Sequence, residues 1–388
     1  VIDDNVAFAY GCYYAAQCAD GSVPGNYFAP NGDYDIYDYR SPDDTRVNQE
    51  LRAELRGSVD IGRVTHQLSI GADTFRRTVD KRQNVNEYVG TANIHDPQVP
   101  VFAPSPLQPG ASVRRLDSRQ DGLFVLDRMR FGDDWQWLAG GRMVRLDERA
   151  YDKRGNPERH SRISRFLPQT ALIWNATDQV NAYVSYVRGI SLGQEAPFWT
   201  SNEGEFLPPV LSRQLEVGIK YGATDALTLG AALFRTSQPF QYALADDSDA
   251  GFTFVQEGQQ THTGLELTAN GQLTKQLQVT ASASVLQARA RDTATAAYEG
   301  HQLVNVPKTR ATVHLDYALP FAAGVGVTGG WRYASSNTAT VDGSVRAPSY
   351  SVVDLGLRYQ HTLRQQPVTW RLAVDNVFDK FYWRDTGS

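Results

Sequence analysis

The sequence predicts an all-β protein, a large up-and-down antiparallel transmembrane β-barrel. Three observations carry this prediction: apolar and polar residues alternate with a period of two, short and long connections follow each other in turn, and aromatic residues share the apolar positions. Alternation at period two is typical of strands with one dry and one wet face. No segment of comparable length follows the helical period of 3.6.

The alternation defines the strands in order along the chain. It runs through 51–59, 214–221, 276–285, 310–319, 353–359 and 368–375. In the first of these segments, Leu51, Ala53 and Leu55 alternate with Arg52 and Glu54. We expect about fourteen strands, many of about 10–15 residues, which is longer than the usual strand of a soluble protein.

The connections alternate in length. Short ones are expected at 60–63, 132–134, 175–178, 222–225, 271–274, 319–320 and 362–366. Long polar loops are expected near 80–117, 151–162, 191–211, 238–252, 291–306 and 335–348. Such a pattern is typical of a meander with tight turns at one end and elaborate loops at the other, and a meander of this many strands is expected to curl and close.

The dry face is expected to meet lipid. A barrel this wide cannot fill its interior with side chains, so the polar positions face a wet lumen and the apolar positions face acyl chains. Aromatic residues at the apolar positions support this, because such rings collect at the membrane–water boundary: Tyr221, Tyr317, Trp331, Tyr333, Tyr359 and Trp370. A soluble β-solenoid or a large sandwich with an aromatic core is the alternative.

Composition excludes several classes. The chain has 388 residues, a net charge of −5 and a mean hydropathy of −0.42. It has no apolar run of about 18 residues, which excludes transmembrane helices. The acidic balance and the lack of a basic stripe argue against nucleic acid as a partner. Cys12 and Cys18 are too few for a zinc site and favour a short disulfide in an oxidising compartment, with two free thiols as the alternative.

No motif marks a catalytic site or a protein metal site. GVGVTG (324–329) matches a dinucleotide-binding pattern, but it lies inside an alternating strand, and we interpret it as a glycine-rich inward face where something packs closely. Charged residues at the lumen positions are interpreted as a wall of paired, hydrated charges: Glu216, Lys220, Glu266, Arg310, His314, Asp316, Arg332, Asp354, Arg358, Arg371 and Asp375.

Aromatic residues cluster in the long connections. Rings at one rim suit a flat or amphipathic small ligand, although large loops also use aromatics to hold themselves together. The candidate ligand-binding residues are Tyr13, Tyr14, Tyr27, Phe28, Tyr34, Tyr37, Tyr39, Phe198 and Trp199.

The C-terminal half resembles the TonB-dependent siderophore receptors of Gram-negative outer membranes. The resembling segments are LSRQLEVGIKY (211–221), ALTLGAALFRTSQ (226–238), QTHTGLELTANGQLT (260–274), NVPKTRATVHLDYAL (305–319), YSVVDLGLRY (350–359) and LAVDNVFDKFYW (372–383). The last carries Asn376, Phe378, Asp379 and Tyr382. Weaker likeness continues through 122–143.

The resemblance implies a barrel of about 22 strands around an N-terminal plug, with loops that capture a ferric siderophore and a TonB complex that drives import. The partners implied are the siderophore, TonB and outer-membrane lipids. Iron would arrive already chelated, so no cofactor is expected. We read residues 1–388 as part of such a barrel, without the plug and the last strand. Inward Arg310, Arg332 and Arg358 are expected to attract an anionic ferric complex. Uptake of cobalamin, haem or oligosaccharide stays open, as does a passive porin or adhesin.

Overall fold

The computed structural model describes residues 2–9, 31–96, 98, 101–197, 199–293, 295–296, 298–340 and 343–384, with the backbone alone for residues 2–9. The strands are β1 (Ile2–Ala9), β2 (Asp33–Ile61), β3 (Val64–Lys81), β4 (Val85–Asn93), β5 (Val113–Phe131), β6 (Trp135–Tyr151), β7 (Pro157–Asn175), β8 (Val180–Ser191), β9 (Val210–Thr224), β10 (Leu227–Ala245), β11 (Phe252–Gln272), β12 (Leu277–Arg291), β13 (Thr309–Ala318), β14 (Val325–Ala334), β15 (Asn337–Thr338), β16 (Arg346–Ala347), β17 (Tyr350–Leu363) and β18 (Gln366–Val374). A helix with the length and apolar character needed to cross a bilayer does not occur among these residues.

One antiparallel sheet contains 16 of the described strands. Its order is β1-β2-β3-β5-β6-β7-β8-β9-β10-β11-β12-β13-β14-β17-β18, and β4 pairs with the first part of β2. Strands β15 and β16 form a separate hairpin. Neighbours in the sheet are neighbours in sequence almost throughout, which confirms the predicted meander. Within the described residues the sheet stays open, because β18 pairs with β17 alone.

The strands are longer and more numerous than the sequence predicted. The loops expected at 151–162 and 238–252 shrink to 152–156 and 246–251, and β4 lies within the stretch expected to be the loop 80–117. The physical reason is that the outer face of the β6 and β7 ends is polar, as in the pair Arg149–His160, while the apolar residues of the β6 and β10 ends, such as Ala150 and Phe240, lie on the inner face. The apolar–polar pattern expected of a lipid-facing strand is therefore lost although the hydrogen-bond ladder continues.

The cross-strand register places the apolar positions of the strands on one face of the sheet and the polar positions on the other. Gly218, Ala232, Glu266, Ser284 and Arg310 follow one another across β9 to β13 on the polar face, which we call the inner face. On the opposite face apolar side chains are largely uncovered: Val217 is 52%, Leu233 60%, Val285 56% and Trp370 64% exposed. No described part of the chain packs over this outer face, so it is not the inside of a soluble core.

Aromatic residues mark both limits of the outer face. Trp135 and Trp174, at the turn-proximal ends of β6 and β7, stack with ring centroids 5.9 Å apart. Tyr317 and Tyr359 lie at the same end and are 40% and 46% exposed. Trp331 stacks on Tyr333 towards the other end, with centroids 6.1 Å apart. Two separated aromatic belts are the arrangement expected at the two interfaces of a bilayer.

Tight turns close one end of the sheet, called here the short-turn end. Gly62 and Gly132 adopt positive φ angles of 62° and 64° in the β2–β3 and β5–β6 turns. The two-residue turn between β17 and β18 has φ angles of 47° at Arg364 and 66° at Gln365. Two successive left-handed residues are the geometry of a type I′ hairpin turn, which glycine and asparagine adopt more easily.

The buried cores lie at the opposite, long-loop end. Phe240, Tyr242, Ala288, Ala290 and Leu303 form one cluster. A second cluster contains Val79, Leu116, Ala150 and Phe206, and a third contains Ala196, Leu207 and Phe254. Each cluster joins strand ends to a residue of a long connection or of a neighbouring strand. The fold is therefore a wall with apolar packing concentrated at one rim.

Candidate functional site

Segment 192–209 folds onto the inner face at the long-loop end. Val79, Leu116 and Ala150 lie opposite one another on β3, β5 and β6, and Phe206 packs against them. These wall residues are at most 1% exposed and Phe206 is 7% exposed. Because the wall residues share the inner face, segment 192–209 lies inside the rim.

Segment 292–308 covers the inner face on the other side of the rim. Leu303 packs on Ala288 and Ala290 of β12 and on Phe240 and Tyr242 of β10. The rings of Phe240 and Tyr242 stack with centroids 4.6 Å apart. Two long connections therefore turn inward and narrow the opening, which is how loops build a concave site.

Three cations anchor segment 192–209. Arg159 donates to Glu148 Oε1 at 2.7 Å and to the Phe206 carbonyl at 2.9 Å. Arg115 donates to the Gly204 carbonyl at 3.0 Å, and Lys81 donates to Glu195 at 2.9 Å. The Glu148 side chain is 1% exposed, so loss of Arg159 would leave a buried charge, at a cost of about 3–5 kcal/mol.

Two inner-face arginines reach across a glycine to an aspartate two strands away. Arg358 on β17 extends over Gly326 on β14 and forms two hydrogen bonds with Asp316 on β13, of 2.8 and 3.0 Å. Arg142 on β6 extends over Gly122 on β5 and pairs with Asp73 on β3. Gly326 belongs to the GVGVTG stretch, so the predicted close approach on the inner face is confirmed at this glycine. The prediction was wrong for Gly329, which lies on the outer face because side chains alternate along the strand.

The predicted lumen arginines differ in their partners. Arg332 pairs with Asp354 at 3.1 Å and Arg358 pairs with Asp316. Arg310 forms no ion pair with any described residue. Much of the positive charge expected to attract a ligand is thus balanced by neighbouring carboxylates, in agreement with the interpretation of a paired wall.

The predicted aromatic residues occupy separate elements. Tyr34, Tyr37 and Tyr39 are half-buried in the first part of β2, where Tyr37 meets Tyr88 of β4 edge-on at 6.1 Å. Trp199 lies in segment 192–209 and contacts Phe252 of β11 edge-on at 5.7 Å. Ring contacts therefore hold Tyr37 and Trp199 against neighbouring elements, and the role of all these aromatics in ligand binding stays a prediction.

Several predicted residues lie outside the described residues: Tyr13, Tyr14, Tyr27, Phe28, Phe198, Cys12 and Cys18. The disulfide between the two cysteines therefore also stays a prediction. Thiol labelling without reductant tests it, since an intact disulfide leaves neither cysteine reactive.

Two buried acids, Asp35 and Asp44, lie in the first part of β2. Burial raises the pKa of Asp44, against the opposing effect of the Lys81 ammonium 4.0 Å away. Burial also raises the pKa of Asp35, and burial together with the charges of Asp35 and Glu87 raises the pKa of Tyr37. Within the described residues there is no group of three or more His, Cys, Asp or Glu side chains placed to hold a metal ion.

Sequence reasoning missed the residues that shape the rim. Lys81, Arg115, Glu148 and Arg159 were not singled out, because they fell in or beside stretches interpreted as loops. A usable signal was present, since Glu148 shares its parity with Leu146 and Val144 along β6. A charged residue that lies on the inner face close to a strand end is therefore a candidate for anchoring a connection that folds inward.

A family model described as TonB dependent receptor-like, beta-barrel matches residues 3–377. Among curated relatives, the ferrichrome receptor FcuA of Yersinia enterocolitica is 25% identical over 344 residues, which cover 85% of this chain and 44% of that protein. The ferrioxamine B receptor of Salmonella typhimurium is 25% identical over 341 residues, which cover 86% of this chain and 46% of that protein. The chain spans about half the length of the curated relatives it matches.

Solved structures show the same fold. BauA, the ferric preacinetobactin receptor from Acinetobacter baumannii, aligns with a TM-score of 0.74 and 23% identity over 92% of this chain and 53% of its own. The ferripyoverdine receptor of the outer membrane of Pseudomonas aeruginosa aligns with a TM-score of 0.71 and 20% identity over 93% of this chain and 48% of its own.

Proposed function

The chain belongs to the TonB-dependent receptor β-barrel family. On that premise, we propose that it forms part of the barrel wall of a receptor that binds a ferric siderophore and imports it. The observation that carries the proposal is the family match over residues 3–377, together with relatives named for ferrichrome and ferrioxamine B. Proteins of this family are receptors and transporters.

The protein is located in the outer membrane of a Gram-negative bacterium. The uncovered apolar outer face between two aromatic belts meets the lipids, and the polar inner face lines the lumen. Outer-membrane barrels have short turns on the periplasmic side and longer loops outside. The long-loop end is therefore extracellular, and segments 192–209 and 292–308 lie at the mouth of the barrel.

The ligand would be held where these segments narrow the mouth. Iron is cargo in this proposal and arrives inside its organic chelate, so the barrel supplies contacts to the chelate and no ligands to the metal. Import would use the energy of TonB, coupled through the complete gene product. The inward-folded rim supports binding from the extracellular side, because it offers a concave surface with apolar and cationic side chains.

Uptake of radioactive iron tests the proposal. The complete gene product is expressed in a strain that lacks its own siderophore receptors and supplied with ⁵⁵Fe bound to ferrichrome, to ferrioxamine B or to a catecholate siderophore. We expect accumulation with at least one chelate, and loss of accumulation when TonB is deleted.

Each other outcome overturns a stated part of the proposal. Uptake of haem, cobalamin or an oligosaccharide without uptake of any ferric chelate would refute the cargo. Passage of small solutes that persists without TonB, together with an open conductance in planar bilayers, would identify a passive pore.

A further inference from the structure

A small cavity opens between the inner wall and segment 192–209. Its volume is about 260 Å³. Val79, Leu116 and Phe206 give it an apolar lining, and residues 192–195, which include Glu195, also line it. Arg46 on β2 and Arg77 on β3 complete the lining on the inner face.

Neither arginine of this cavity forms an ion pair with a described carboxylate, although the charge of Arg46 opposes the rise in the pKa of Asp44. Arg77 is half-buried, and its Nε is shielded from solvent without a hydrogen-bond acceptor. Arg46 forms no ion pair with any described carboxylate. Acids around the cavity have other cationic partners, since Asp44 lies 4.0 Å from Lys81, Glu195 accepts from Lys81 at 2.9 Å and Glu148 accepts from Arg159 at 2.7 Å.

A buried guanidinium N–H without an acceptor is costly, and most such groups have a partner. The Arg358 side chain of the same inner face shows the usual solution, since both its Nε and its Nη2 donate to a carboxylate across the sheet. Next to Arg77 in the sheet lie Ser118 on β5 and then Glu148 on β6. Glu148 already forms an ion pair with Arg159 and so does not balance the charge of Arg77. The cavity therefore offers two cations and an apolar lining to a ligand anion.

We infer that Arg46 and Arg77 form a subsite for a carboxylate arm of the ferric chelate. The inference rests on the proposed function and adds a substrate class to it: chelates that carry a free carboxylate outside the iron-binding groups. Guanidinium groups bind carboxylates through paired, charge-assisted hydrogen bonds. The cavity volume suits one short arm and is too small for the whole chelate, because complete pockets for drug-sized ligands occupy about 300–1,000 Å³.

The subsite is tested directly with succinate as the probe. Purified complete gene product in detergent is treated with phenylglyoxal, which modifies accessible arginines, and the extent of modification is read by mass spectrometry. We expect succinate to protect Arg77 and Arg46 in a concentration-dependent manner. Arg358 is the internal control, since its guanidinium is already bound to Asp316 and succinate should not change its reactivity.

The link to the chelate is tested with a matched pair of ligands. Ferrioxamine B carries a free amine, and its succinylated form carries a carboxylate on the same iron-binding frame. We expect the receptor to bind the succinylated form about tenfold more tightly, and the Arg46→Gln/Arg77→Gln variant to lose this preference while it still binds ferrioxamine B. Arg145→Gln, which removes a charge from the outer face, should keep the preference.

The outcomes separate the subsite from the proposed function. Equal modification of Arg77 with and without succinate overturns the subsite, whatever is transported. An unchanged preference in the Arg46→Gln/Arg77→Gln variant overturns it as well, because the receptor then recognises the carboxylate elsewhere. Protection by succinate combined with failure to bind any ferric siderophore supports an anion site and refutes the proposed function instead.

Discussion

A valine at position 326 should break the ion pair between Arg358 and Asp316. The guanidinium of Arg358 crosses directly above Gly326, and a Cβ at that position would lie 2.7 Å from Nη2 of Arg358 and 3.2 Å from Oδ1 of Asp316. Alanine would require a displacement of the flexible guanidinium. The two additional methyl groups of Gly326→Val would occupy the path of the side chain, so both hydrogen bonds should be lost.

The expected destabilisation is about 1–3 kcal/mol. A hydrogen bond to a charged group contributes about 1.5–3 kcal/mol, and two are lost here. The net loss is smaller than the sum of the two bonds, because the Arg358 and Asp316 side chains are already 16% and 24% exposed and hydrogen-bond to water when they separate. Urea unfolding of the complete gene product in lipid vesicles, followed by tryptophan fluorescence, measures the change in the free energy of unfolding.

Gly329→Val is the matched control on the same strand. A Cβ at Gly329 faces outward and meets only Leu355 Cδ2, at 3.9 Å. This substitution should be neutral or stabilising by about 0.5–1 kcal/mol, because glycine in a strand interior is unfavourable. The reasoning is refuted if both valines have the same effect, or if Gly326→Val destabilises an Asp316→Asn background as much as it destabilises the parent.

Three further predictions test the membrane wall and its connections. Ala283→Lys, on the outer face of β12, should destabilise the folded barrel by about 2–4 kcal/mol in vesicle unfolding, whereas Ser282→Lys on the inner face should cost less than half of that, and equal costs would reverse the assignment of the faces. Replacing Arg364 and Gln365 by Asn-Gly should stabilise the β17–β18 hairpin by about 1–2 kcal/mol, since both residues adopt positive φ; no rise in the urea midpoint would contradict the turn geometry. Asp152 accepts hydrogen bonds from the side chain and backbone of the 152–156 turn, which lower its pKa below the ordinary value of 3.8, so its stabilisation exists above that pH and is lost as the pH falls through the lowered pKa. Amide exchange in the turn should therefore be faster in Asp152→Asn than in the parent at pH 7 and equal in both near pH 2, and a difference that persists in acid would argue against this account.

Which segments form strands, and which side chains point outward, could be predicted from the sequence because both depend on neighbouring residues in the chain. A period of two is visible wherever one face is apolar, as in β12, where Leu277, Val279 and Ala281 point outward. The ends of β7 and β10 could not be read in this way. At the start of β7 polar residues occupy both faces, so no periodicity marks the strand. At the end of β10 the buried Phe240 and Tyr242 lie on the inner face, so the apolar side is the reverse of the one in the lipid-facing part of the strand.

The candidate site was much less predictable. The sequence indicated rim aromatics and lumen arginines, but pairing depends on which residues three strands bring side by side. Arg358 is balanced because Asp316 lies beyond a glycine, while Arg77 faces Ser118 and then a glutamate already held by Arg159. No property of an isolated strand distinguishes these two arginines.

The amino-acid sequence by itself determines that this chain forms long antiparallel strands with a lipid-facing and a water-facing side, because side chains of a strand alternate between two faces by covalent geometry. Tertiary structure alone decides that segments 192–209 and 292–308 fold inside the rim and which inner-face charges remain without partners. Those outcomes arise from contacts between residues far apart in the chain, whose distances the order of residues along one strand does not contain.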